Sequence, residues 1–294
     1  MVPPRDTVST LERIGSLLGK AWRMITISHG PCQVTLSPER GAIVTSLKID
    51  GVETLYLDQA TFDDPSKNVR GGVPVLFPIV GPVRDGEYEW EGKRYRMAQH
   101  GFARTEVWTV LEQTEDRAVL ELLDSATTRE QFPFPFRYRL TYSAVPDGLR
   151  IEQTIENRGE EAMPAQFGFH PYFQVGAKTG LEFSLPVSTY ADNKSDASGP
   201  FHGFDFSRDE IDWAFPQPTA PSASFEDSER GLRVTVDYGP EYGWLVFWTL
   251  QGSPFVCLEP WSSARLGFPQ GADVHRIPSG ATLNSTVALR VERL

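Results

Sequence analysis

The stretch YRLTYSAVPDGLRIEQTI, residues 138–155, decides the fold class. Tyr138, Leu140 and Tyr142 alternate with polar residues, Pro146-Asp147-Gly148 is a strong turn signal, and Leu149, Ile151 and Ile155 return along a second segment. Successive strand side chains point to opposite faces, so this pattern specifies two half-buried strands joined by a tight turn. The same period recurs outward in both directions. Ile25 and Ile27, Val34 and Leu36, then Leu232, Val234 and Val236, and finally Val287, Leu289 and Val291 all read as strands. Trp108 to Leu123 reads as a hairpin with a long polar connection through Glu112–Arg117. Trp244 to Leu250 and Pro254 to Leu258 are apolar without strict alternation, which predicts more deeply buried strands. Many short strands with Pro, Gly and Asp turns predict an all-β sandwich or barrel.

The ends and the middle depart from this pattern. Ser9 and Glu12 have capping-box spacing, Leu11, Ile14, Leu17 and Leu18 follow at helical spacing, and Gly19 supplies a stop. A short helical extension over residues 1–21 is therefore expected, ahead of one β domain over 22–294. Ala191–Pro221, rich in Ser, Asp, Gly and Pro, reads as a long loop with a short strand.

Composition narrows the function. The 294 residues are 40% hydrophobic, 23% charged and carry a net charge of −11, so the chain is globular and its surface repels phosphate backbones; no nucleic-acid partner is expected. Two cysteines, Cys32 and Cys257, make no disulfide framework and read as buried thiols. Cysteines and histidines are too scattered for a metal-ligand spacing signature. Without an apolar run of about 18 residues or a signal-peptide pattern, no membrane span and a cytoplasmic location are expected.

Five histidines are present, and context separates them. His100 lies in Gln-His-Gly-Phe-Ala-Arg, where Gly101 permits close approach of backbone or ligand and Arg104 follows four residues on. The bland alternative is a turn histidine. His170 lies in Gln-Phe-Gly-Phe-His-Pro-Tyr-Phe; Pro171 holds it extended among aromatic and glycine neighbours, as in a cleft wall or a packed core. Glu259 ends the run Pro-Phe-Val-Cys-Leu ahead of Pro260-Trp261. A carboxylate in such a run is costly to bury unless it is functional, as a general base of raised pKa, or paired with a cation such as Arg70 or Arg265. Arg70 opens Arg-Gly-Gly-Val-Pro-Val-Leu-Phe-Pro, where its planar fork suits vicinal hydroxyls or a phosphate; the alternative is an arginine tying down a loop. Phosphate-binding glycine loops, a nucleophile elbow and a zinc helix are absent from the sequence. Acid–base chemistry on a small molecule is the simplest enzymatic option left.

Four segments together, Asn68–Pro78, Gln99–Arg104, Phe169–Phe173 and Cys257–Trp261, resemble in content, order and separation the aldose 1-epimerase (galactose mutarotase-like) family. The resemblance spans roughly residues 25–292 and is nearest to the short branch that includes hexose-6-phosphate mutarotases. It implies a large antiparallel β-sandwich with a sugar cleft, with Glu259 as general base, His170 as general acid, His100 near the ring oxygen and Arg70 on the sugar. It implies no cofactor and no metal, and a small-molecule sugar as partner, the chain being a monomer or homodimer. Trp248, Trp261 and Phe77 are the candidate aromatic floors for the sugar. The family's further acidic sugar-binding residue is matched to no position; Asp192 and Asp205 lie in the Ser/Asp/Gly/Pro stretch. Mutarotation of an aldohexose is thus expected, with a hexose-6-phosphate substrate or a non-catalytic carbohydrate-binding role as alternatives. In the phosphate case Arg84, Lys93, Arg94 and Arg104 are the candidates for a second basic group. A hydrolase, which would need two carboxylates flanking one bond, ranks below these.

Overall fold

In the computed structural model of the protein, residues 22–195 and 197–294 are described. The helix expected over residues 1–21 falls outside them. Two eight-stranded antiparallel sheets dominate. The first runs, in spatial order, Leu181–Ser184, Ser222–Asp227, Leu232–Tyr238, Thr282–Arg293, Gly148–Asn157, Phe136–Val145, Arg117–Leu123 and Thr109–Gln113. The deciding hairpin lies inside this sheet: Val145 pairs with Gly148 around a two-residue turn, and the register continues to Phe136 opposite Asn157. The second sheet runs Ser198–Pro200, Thr189–Asp192, Glu210–Pro216, Trp244–Leu250, Phe255–Trp261, Gly168–Phe169 and Val75–Leu76, with Tyr172–Gln174 also paired to Phe255–Trp261.

Two local expectations change. Glu112 and Gln113 belong to one strand and Arg117 begins the next, so the polar connection is only three residues. Ala191–Pro221 carries more strand than the one short segment expected. It contains Glu210–Pro216, a seven-residue strand paired along its length with Trp244–Leu250. Its alternation of Ile211, Trp213 and Phe215 with Glu210, Asp212 and Ala214 is hidden by the turn-rich composition around it.

The central strands of the second sheet are covered on both faces, which explains their near-continuous apolar runs. Ile211, Trp213, Phe215, Leu245, Phe247, Val256 and Leu258 point into the main core. On the opposite face, Ala214, Val246 and Trp261 form one small apolar cluster, and Phe255 and Cys257 form another with Tyr172 and Trp248. Glu259 lies on this second face, between Cys257 and Trp261 in strand alternation.

Phe77 is not on the site face. Leu76 takes that side, and Phe77, the next residue, points inward, fully buried. Its ring packs at 5.0–5.1 Å from Phe136 and Tyr138 of the first sheet. This corrects its assignment as a sugar floor: alternation along a short strand places neighbouring residues on opposite faces.

Gly101 shows why the His100 segment needs its glycine. Its φ is +71°, and a Cβ there would lie 2.1 Å from the Phe77 carbonyl oxygen. Gly101→Ala is expected to cost more than ~2 kcal/mol, combining left-handed strain with the clash. An unchanged urea midpoint for this variant would refute the close-approach explanation.

Candidate active site

A cavity of about 320 Å³ opens on the outer face of the second sheet, and four separated segments meet there. Its lining includes Arg70, His100, His170, Trp248, Glu259 and Trp261. Six of the seven residues singled out in the sequence are therefore brought together, Phe77 being the exception. His29, His202 and His275 do not line it.

Glu259 is held by the buried strand Phe255–Trp261 and is 1% exposed. Trp261 Nε1 donates to its Oε2 at 3.0 Å, and its Oε1 lies 3.4 Å from His170 Nε2. Among the described residues no lysine or arginine lies within ion-pair distance of it. Arg265 instead donates to the Asn193 carbonyl, and Arg70 lies 5.9 Å over the Trp248 ring. The structural ion pair considered for Glu259 is thus not formed with either arginine. Burial, reinforced by the nearby Asp212 carboxylate, holds the Glu259 carboxyl well above the usual range, against the lowering effect of the Trp261 hydrogen bond.

His170 is set by the short strands on either side of it. Its N–H donates to Pro74 O at 3.1 Å and Tyr172 N–H donates to Gly72 O at 2.9 Å, tying the Phe-His-Pro-Tyr segment to the Arg70–Pro78 segment. The imidazole stacks on Tyr172 at 4.6 Å with planes 9° apart. Burial, with the charges of His100 and Arg104 adding, pushes His170 well below the ordinary histidine pKa. His100 has φ +69°, and its N–H donates to Gly81 O at 3.0 Å. Its Nδ1 contacts the Val80 carbonyl and its Nε2 lies 3.2 Å from Gln99 Nε2. Burial, then the Arg104 charge, pushes its pKa down to about 3, with the Val80 contact opposing. Both rings are thus held toward the neutral form, and they lie 5.6 Å apart, edge to face.

The sequence left two acidic groups unassigned that the structure brings to the cavity. Asp212 and Glu210 come from the strand Glu210–Pro216, inside the stretch expected as a long loop with a short strand. Asp212 pairs in register with Trp248, accepts from Asn193 Nδ2 at 2.8 Å, and has its pKa raised mainly by burial. Glu210 accepts from Trp248 Nε1 at 2.8 Å and pairs with Lys194 at 3.0 Å; burial raises its pKa, but these two donors outweigh burial and lower it. The signal available was the two-residue alternation Glu-Ile-Asp-Trp. Asp192 and Asp205 are elsewhere. Asp192 accepts from Trp213 and from backbone N–H groups of its own turn, and Asp205 accepts from Ser207. Arg104 lines the cavity without a carboxylate partner; its terminal nitrogen donates to Gln99 O at 2.7 Å, Nε has no hydrogen-bond partner, and burial lowers its pKa to about 10.

An aldose 1-epimerase family model matches residues 23–284. The chain belongs to the aldose 1-epimerase family. Protein LacX of Lactococcus lactis subsp. lactis is 29% identical over 266 residues, covering 79% of this chain and 85% of LacX. The solved structure of Slr1438 protein from Synechocystis sp. PCC 6803 superposes with a TM-score of 0.91 at 35% identity, covering 94% of this chain and 98% of that one. A galactose mutarotase-like protein from Lactobacillus casei shares the fold with a TM-score of 0.78 at 21% identity, covering 92% of this chain and all of that one. The β-sandwich of the aldose 1-epimerase family is accordingly the fold here. Among the described residues no helix is long and apolar enough to cross a membrane.

Because Glu259 has a higher pKa folded than unfolded, its ionisation opposes folding. The penalty is absent below the unfolded carboxyl pKa of about 4.3 and grows as pH rises toward the folded value. Glu259→Gln is therefore expected to stabilise the fold near pH 7.5 and to change its stability little near pH 4.5. Urea unfolding of both proteins at the two pH values checks the sign.

Proposed function

We propose that this chain is an isomerase that interconverts the α and β anomers of an aldohexose by acid–base ring opening, within the domain formed by residues 22–294. The observation that carries this is the buried Glu259–His170 contact of 3.4 Å in a cavity lined by polar groups and aromatic rings. Anomer exchange requires the C1 hydroxyl to lose a proton while the ring oxygen gains one. The C1–ring oxygen bond then breaks, the aldehyde rotates, and closure on the other face reverses both transfers. The pair holds one transferable proton. Shifting it from the Glu259 carboxyl to His170 Nε2 yields a carboxylate base and an imidazolium acid without exchange with solvent. Glu259 then accepts from the C1 hydroxyl and His170 protonates the ring oxygen, with His100 beside it. No net proton is consumed, and neither a metal nor a nucleotide enters this scheme.

Trp248 and Trp261 offer aromatic faces to the sugar, and Arg70 and Asp212 offer a donor fork and an acceptor to its hydroxyls. A hexose 6-phosphate is the second substrate reading. It is favoured by Arg104, a mostly buried guanidinium without a carboxylate partner among the described residues, and by exposed Arg70 on the same cavity. The location proposed is the cytoplasm.

NMR of freshly dissolved α-glucose, α-galactose and α-glucose 6-phosphate tests both. Wild type should accelerate anomerisation of at least one, and Glu259→Gln or His170→Asn should each lose about 10²–10⁴-fold of that rate. No acceleration of any sugar by wild type would leave a carbohydrate-binding role. Asp212→Asn should raise KM severalfold with a smaller change in kcat, because an acceptor to a non-reacting hydroxyl contributes mainly uniform binding. A fall confined to kcat would instead place Asp212 among the proton-transfer groups.

A further inference from the structure

We propose that His170, Cys257 and Glu259 form a site for a thiophilic divalent cation, zinc being the best match, and that its occupation shuts off the proton-transfer pair. The linear sequence gives no hint of this, since residues 170, 257 and 259 follow no ligand spacing. Strand geometry assembles it. Cys257 and Glu259 are two apart on one strand and so share a face, and Tyr172 and Gly168, on either side of His170, pair with Cys257 and Trp261. One ligand atom from each of the three residues lies within 4.8 Å of the others. Tetrahedral zinc with bonds of about 2.0–2.3 Å separates its nitrogen, oxygen and sulfur ligands by roughly 3.3–3.6 Å. The His170 Nε2 to Glu259 Oε1 distance is already 3.4 Å, so small side-chain shifts suffice.

A further observation points to a cation. Glu259 is a buried carboxyl with no lysine or arginine in contact among the described residues, and the neighbouring Asp212 adds negative charge. The donor set of imidazole, thiolate and carboxylate suits zinc and its neighbours, and not magnesium or calcium. On binding, the Cys257 thiol loses its proton to solvent, because a coordinating thiol is deprotonated outright. Thiolate and carboxylate then neutralise the metal's charge, so no net positive charge is added near Arg104. Three protein ligands leave a fourth position open for water. The metal would therefore occupy both Glu259 and His170 and compete with the sugar. The inhibitory part rests on the anomer-exchange role proposed above; the binding part does not.

Cobalt(II) is the spectroscopic probe and zinc the functional one. Wild type should develop a sulfur-to-cobalt charge-transfer band, bind zinc in calorimetry, and lose anomerisation activity competitively with sugar as zinc is raised, while magnesium has no effect. Cys257 takes no part in the proposed proton transfers, so Cys257→Ala should keep basal activity. Outer-shell changes alone cost metal sites about 10–100-fold, so loss of a direct sulfur ligand should weaken zinc inhibition by at least about 100-fold and abolish the band. Cys257→Ser, closer in volume, repeats the comparison if the alanine variant folds poorly. Absence of the cobalt band in wild type, or equal zinc sensitivity in folded Cys257 variants, would overturn the site. The cobalt and calorimetric measurements need no turnover, so they judge the metal site even if no sugar is anomerised.

Discussion

The rest of the site depends on one constraint: a carboxyl group sits on a strand covered on both faces, with no lysine or arginine against it among the described residues. Removing a carboxylate from water is costly, and nothing in contact with Glu259 restores the lost solvation in full. The Trp261 indole N–H satisfies one oxygen and His170 faces the other. The outcome is a carboxyl whose proton is held tightly beside an imidazole whose protonation is disfavoured, both for the same reason of burial. Two groups pushed toward neutrality from opposite sides share a proton readily, and acid–base chemistry at neutral pH needs such a pair.

The scaffold keeps this pair in place through backbone rather than through side-chain bridges. Glu259 stands on a paired strand, with Val246 in register opposite it and Trp248 opposite Cys257. His170 is hydrogen-bonded through its own amide to the Arg70–Pro78 segment, and His100 is held in a left-handed conformation by a glycine that lets two backbones touch. Aromatic stacking of His170 on Tyr172 fixes the ring plane. Rigid elements of this kind hold reacting groups more closely than loops do. The close superposition on Slr1438 protein at 35% identity is consistent with a framework set by sheet pairing, which tolerates much side-chain change.

Charge is graded across the cavity. At the pair stand histidines held toward the neutral form and a carboxyl held toward its protonated form; beside it stands Asp212, and Lys194, Glu210 and Arg70 sit around the Trp248 ring. A ligand entering this cavity meets screened, exposed ions first and desolvated groups last, so interactions strengthen with depth as water is left behind. Cys257 lies behind this cavity, fully buried and packed with Tyr172 and Phe255, and places a soft donor near Glu259 and His170.

Much of this was written in local sequence. Period-two runs such as Tyr138–Ile155 specify strands because side chains alternate across a sheet, and a charged residue inside Pro-Phe-Val-Cys-Leu-Glu stands out because burial of charge is costly. Motif order alone pointed to Arg70, His100, His170 and Glu259. Tertiary structure decided what long-range pairing decides. It sent Phe77 inward while Leu76 faced the site, set Glu210–Pro216 with its Asp212 between two strands of the second sheet, and gave Glu259 a histidine and an indole in place of an arginine. It also joined Cys257 to His170, residues separated by most of a sheet in the chain. Alternation is a property of neighbours along the chain and is legible there; which faces meet, and which charges are left without partners, depends on strands that find each other only in three dimensions.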